Sequence, residues 1–159
     1  QGDDAAAKRY NEESLAITRE THDRIGMLFA ALGQVDDAMS DRDYERASSR
    51  AREVISLGRE LGLTKDWTIG LEACAYCALH LSGPEKATHL FGAAERIREE
   101  TGEPRGAANQ KVYEENIVEI RAAFADRAAP ADAFDIAWQE GRALTLDDVV
   151  ALALNKSNG

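Results

Sequence analysis

Three stretches of this chain align on one another at a spacing of forty residues without a gap: 7–22, 47–62 and 87–102. Ala7, Ala47 and Ala87 coincide, as do Ile17, Leu57 and Ile97, and Glu20, Glu60 and Glu100 follow three places later. Two further stretches, 24–40 and 66–82, lie between them in the same register, so that Ala38 matches Ala78 and Met39 matches Leu79. Each stretch carries apolar residues at helical spacing. A helix-turn-helix unit of this period cannot bury its apolar face alone, so it predicts stacked helical hairpins, an all-α solenoid. An irregular helical bundle is the alternative. Turn chemistry agrees with the register. Ser82-Gly83-Pro84 stops one helix and starts the next, and Gly62 and Gly102 stand where helices end.

Composition supports helices throughout. Of the 159 residues 44% are hydrophobic but only 6% aromatic, so the core must be built from Ala, Leu, Ile and Val. Helices are expected near 5–22, 24–40, 43–62, 66–82, 84–101, 108–127, 131–141 and 145–155. The formal charge of -10 opposes duplex DNA and anionic membranes, which bind through Lys and Arg. No apolar run reaches the length of a membrane span. Two cysteines make no disulfide framework, and a cytoplasmic location is expected.

The segment Asp43–Ala47, DYERA, resembles the start of the second helix of a tetratricopeptide repeat, and Phe91 and Ala94 fall at that motif's large and small packing positions. The motif's first-helix Trp, Leu, Gly and Tyr are largely replaced, with Leu71, Cys74, Ala75 and Ala78 in their places. The resemblance is therefore to TPR-like repeats at the divergent end of that family. It implies repeats over 1–103, then a long helix and two short capping helices over 104–159. The first helix has the form of a repeat's second helix with no first helix before it. The expectation is a chain cut from something longer, with apolar surface near Leu15 and Ile17 left to self-association.

From Ala87 onward the likeness is more specific. The segments ATHLFGAAERIREETG, YEENIVEIRAAF and FDIAWQEGRALTLDDVVALAL, in this order, resemble the C-terminal region of large bacterial signalling proteins. These carry an ATPase module followed by TPR-like repeats, and include LuxR-type and SARP-type transcriptional regulators and cyclase-linked relatives. The tail also reads on its own terms. Ala133, Phe134, Ala137, Trp138 and Gly141 form one helical stripe that must be covered. Thr145 is a good N-cap, followed by Asp147 and Asp148 in the first turn and an apolar face of Val149, Val150, Ala153 and Leu154. The tail is expected to lid the stack, and Trp138 to be a large buried aromatic.

Chemistry-bearing motifs are scarce. Cys74, Cys77 and His80 fall at i, i+3 and i+6, which swings the third away from the face of the first two, and no second Cys pair completes a zinc site. Neither a Glu-x-x-His pair nor a phosphate loop occurs. No catalytic residue, metal or cofactor is expected. In the TPR register a concave groove would be lined by Phe29, Leu32, Asp36 and Met39, then by Ile69, Glu72, Tyr76 and His80. Such a stripe is either core or an exposed partner-binding face. The expected function is a non-enzymatic protein-interaction or sensor module of a transcriptional regulator, binding a protein, a peptide or a second copy. The alternative is a small-molecule sensor, its ligand near Tyr76 and Trp67.

Overall fold

A computed structural model of the chain describes residues 6, 9–13, 16–17 and 23–155. From residue 23 onward they form seven α-helices: α1 (Arg24–Ser40), α2 (Tyr44–Leu61), α3 (Thr64–Leu81), α4 (Pro84–Thr101), α5 (Ala107–Asp126), α6 (Ala133–Ala143) and α7 (Leu146–Leu154). No strand occurs among the described residues. All seven lie within two residues of the expected limits. The helix expected over 5–22 falls largely outside the described residues, Leu15 included, although 6, 9–13 and 16–17 are helical.

Forty residues separate the start of α1 from that of α3, and both ends of α2 from those of α4. The stops are built alike. Gly62 and Gly102 take left-handed conformations, φ 70° and 66°, that glycine adopts without a Cβ clash. The starts are side-chain caps: an Asp23 carboxylate oxygen accepts from the Gly26 N–H at 2.9 Å, and one from Asp43 accepts from the Arg46 N–H at 3.0 Å. Pro84 opens α4, where its missing N–H is harmless.

Packing divides the chain into two compact units, 1–73 and 74–159, the boundary falling inside α3. In the first unit α1 and α2 form an antiparallel hairpin, since Arg24 at the start of α1 pairs with Glu60 at the end of α2. Leu28, Ala31, Val35 and Ala38 of α1 and Ala47, Ala51, Val54 and Ile55 of α2 form its core. The first half of α3 adds Trp67 and Leu71, with Trp67 lying against Gly58. Small alanines let the helices approach closely, and each fully buried Leu, Ile or Val stabilises by about 1.5–3 kcal/mol. The helical residues before α1 touch this hairpin too: the Asn11 amide donates to Asp37 at 3.0 Å, and Glu12 lies 3.6 Å from Arg46.

The second unit is organised around α4, which buries Ala87, Thr88, Leu90 to Ala94, Ile97 and Arg98. Helix α6 crosses it at backbone contact. A Cβ on Gly92 would sit 2.5 Å from the Trp138 carbonyl oxygen, and one on Gly141 would overlap the His89 backbone. Gly141 therefore serves the crossing and does not end the helix, which runs on to Ala143. Phe134, Ala137 and Gly141 are buried as expected of the stripe, but Trp138 is only half-buried: its ring stacks on Phe134 at 5.6 Å, and solvent reaches the rest. Thr145 caps α7, its hydroxyl oxygen accepting from the Asp148 N–H at 3.2 Å, and Val149, Val150 and Ala153 are buried. Leu154 remains exposed. Helix α5 buries only Ile120 and Phe124, both in its second half.

Candidate functional site

Helix α1 has two apolar faces. One is the hairpin core already described; the other carries Ile25 and Phe29, which are 53% and 56% exposed. Leu32 and Met39 continue that stripe half-buried, and Asp36 is exposed. Spacings of four, three, four and three keep all five on one side of the helix. Of the two readings open for this stripe, core or exposed face, its upper half is an exposed face. The Asp36 carboxyl is pushed above its ordinary value of 3.8, first by loss of hydration and second by the charge of the adjacent Asp37.

The remaining expected groove residues divide between the units. Glu72 and Ile69, both half-buried, belong to the first unit. Tyr76 and His80 belong to the second, where the structure gathers them on Glu119 of α5. The Tyr76 hydroxyl donates to one Glu119 carboxylate oxygen at 3.1 Å, and His80 Nε2 lies 3.7 Å from the other. The two rings meet edge to face at 4.9 Å. Glu119 thus lies against two aromatic side chains, accepting from the tyrosine hydroxyl and standing near the imidazole. Trp67, named for the small-molecule alternative, is 6% exposed and packs in the core of its unit. Cys74 and Cys77 are buried and in no disulfide. Among the described residues no three His, Cys, Asp or Glu side chains are placed to hold a metal ion.

Two arginines carry local structure that the sequence pattern does not announce. The Arg105 side chain, in the loop after α4, is 5% exposed; it pairs with Glu95 at 2.6 Å and lies over the Tyr113 ring at 3.7 Å. Arg121 of α5 lies over the Phe134 ring at 3.6 Å and reaches Asp135 at 3.5 Å. An arginine in a loop or on an acidic helix reads as solvated by default. The only usable signal was the nearby Tyr and Phe, which attract guanidinium groups. Between α5 and α6 these residues border a cleft of about 290 Å³ lined by Tyr113, Ile117, Arg121, Phe134, Asp135, Trp138 and Gln139. A second, more open cleft of about 460 Å³ lies over α7, with His89 and Glu140, 3.0 Å apart, on its rim.

With this geometry in place the chain can be set beside known proteins. It is 26% identical over 152 residues to proteins of Mycobacterium tuberculosis and Mycobacterium bovis that are assigned by name to the HTH-type transcriptional regulators. The similarity covers 96% of this chain and 16% of each regulator. The chain therefore spans about a sixth of the relatives it matches, which fits a regulator-associated module. No protein-family model matches the chain, and no solved structure does. No helix among the described residues is long and apolar enough to cross a membrane.

Proposed function

We propose that this chain is a non-enzymatic protein-interaction and sensor module of a multidomain transcriptional regulator, built from TPR-like hairpins that stack as a solenoid and end in a helical cap. The observation that carries the reading is the similarity along 96% of the chain to transcriptional regulators of which it covers only 16%. Helix limits that repeat at forty residues support the TPR-like part. The exposed Ile25–Phe29 stripe supports the interaction part, since exposed aromatic and aliphatic anchors are what partners bury. The net charge of -10 supports the reading that DNA is contacted by some other part of such a regulator. The partner is a protein, a peptide or another copy of the chain, and no membrane is involved.

The test is an in-frame deletion of this region from the regulator that carries it. DNA binding by the regulator should persist while its transcriptional response to signal is lost. A response that survives the deletion contradicts the reading, as does ATP hydrolysis or salt-sensitive duplex binding by the isolated chain.

A further inference from the structure

The cleft between α5 and α6 has the make-up of a small-ligand site. Its volume of about 290 Å³ is at the small end of ligand pockets, enough for one ring-bearing molecule. Its lining is mixed: half-buried Tyr113 and Trp138, Ile117 and the buried Phe134 stand beside the polar Arg121, Asp135 and Gln139. Phe134 is held from two sides, by the Trp138 ring at 5.6 Å and by the Arg121 guanidinium at 3.6 Å. Both the ring wall and the cation are therefore positioned before any ligand arrives.

The polar equipment is one charge of each sign. Arg121 and Asp135 stand 3.5 Å apart at the cleft, and their side chains are 54% and 70% exposed. So loose and open an ion pair contributes little to stability, and it is readily exchanged for better partners. A guanidinium carries five N–H donors, of which this contact engages one. A molecule bearing a carboxylate and an ammonium on the same carbon would satisfy both side chains at once, exchanging one long contact for two charge-assisted ones. An aromatic ring attached to that carbon would lie against Trp138 and Tyr113.

We infer that the α5–α6 cleft binds a free aromatic α-amino acid, with Arg121 on the carboxylate, Asp135 on the ammonium and Trp138 against the ring. A peptide chain cannot substitute, because it does not place both charges on one carbon. The site is independent of the α1 stripe, and either can fail without the other.

The experiment titrates the full chain with L-phenylalanine, following Trp138 emission, beside two probes that each lack one charge: 3-phenylpropionate and phenethylamine. Saturable binding of L-phenylalanine is expected, with each one-charge probe weaker by roughly tenfold. Arg121→Gln should abolish the preference over phenethylamine, and Asp135→Asn the preference over 3-phenylpropionate. Both side chains are more than half exposed, so neither change threatens folding. Absence of saturable binding, equal affinity for all three probes, or an order unchanged in both variants overturns the inference.

Discussion

Helices α2 and α4 occupy the same place in the forty-residue register but meet different surroundings. Their starts differ, an Asp43 cap in α2 and Pro84 in α4, but both end on a left-handed glycine. In α2 one face is buried, while Arg52 and Glu53 lie half-buried beside it, Arg52 donating to the Ser48 hydroxyl at 2.8 Å. Forty residues later stand Gly92 and Ala93, both buried. The cause is α6, whose backbone presses on Gly92 and leaves no room for an arginine. The repeat keeps buried small and aliphatic residues at matching places, as at Ala47 and Ala87 or Leu57 and Ile97. It departs from them where an additional helix crosses.

Exchanging the two residues is the severest way to break this comparison. Gly92→Arg, which installs the α2 residue, should cost more than about 4 kcal/mol, because a long side chain must enter a backbone contact. Arg52→Gly should cost only about 1 kcal/mol, the usual helix penalty of glycine. Urea unfolding followed by tryptophan emission measures both, with Trp67 reporting from the first unit and Trp138 from the second. Equal costs would mean that α6 does not account for the difference.

The crossing is sharpened by its aromatic pair. Phe134→Ala should cost about 3–4 kcal/mol, as for other buried aromatics. Trp138→Ala should cost about half that, because the indole is half-buried and not enclosed. Thr145→Ala should cost about 1 kcal/mol by removing the cap of α7. Urea midpoints for the three variants test the order; a Trp138 effect exceeding that of Phe134 would place the indole, not the phenyl ring, at the centre of the tail.

Much of this was legible in the residues. Periodicity and caps located the helices, and the register correctly paired Ala47 with Ala87 and Gly62 with Gly102, because local spacing and cap chemistry decide those features. The helix expected to end near 141 instead runs on past Gly141 to Ala143. A glycine that ends a helix and a glycine that admits a crossing backbone look the same in sequence, and only the third dimension separates them. The burial of Trp138 was overestimated for a related reason: the helical stripe shows which side faces inward, not how far along its edge the cover extends. Arg105, Arg121 and Glu119 gave still less signal, since each finds its partners on other helices.

Smaller effects belong to α1. Asp36 is harder to ionise in the folded chain than in the unfolded one, so it subtracts stability above its raised folded pKa. The penalty fades as pH falls and is gone below the ordinary value of 3.8, where both states are protonated. Asp36→Asn should therefore give a small stability gain at neutral pH that disappears in acid. Denaturation midpoints across that range measure it, and a gain that grows as pH falls would contradict the cause assigned.

The smallest stability effect is expected where the functional effect is largest. Ile25 and Phe29 are more than half exposed, and replacing both with serine should change folding stability by no more than about 0.5 kcal/mol. If the exposed face of α1 is the interaction surface, the regulator carrying Ile25→Ser and Phe29→Ser should fold normally, bind its DNA and fail to respond to signal. The decisive measurement is that transcriptional response, read in a reporter strain beside the unfolding midpoint of the same variant. Loss of response at unchanged stability is the predicted result; a full response from the folded double variant would contradict the account.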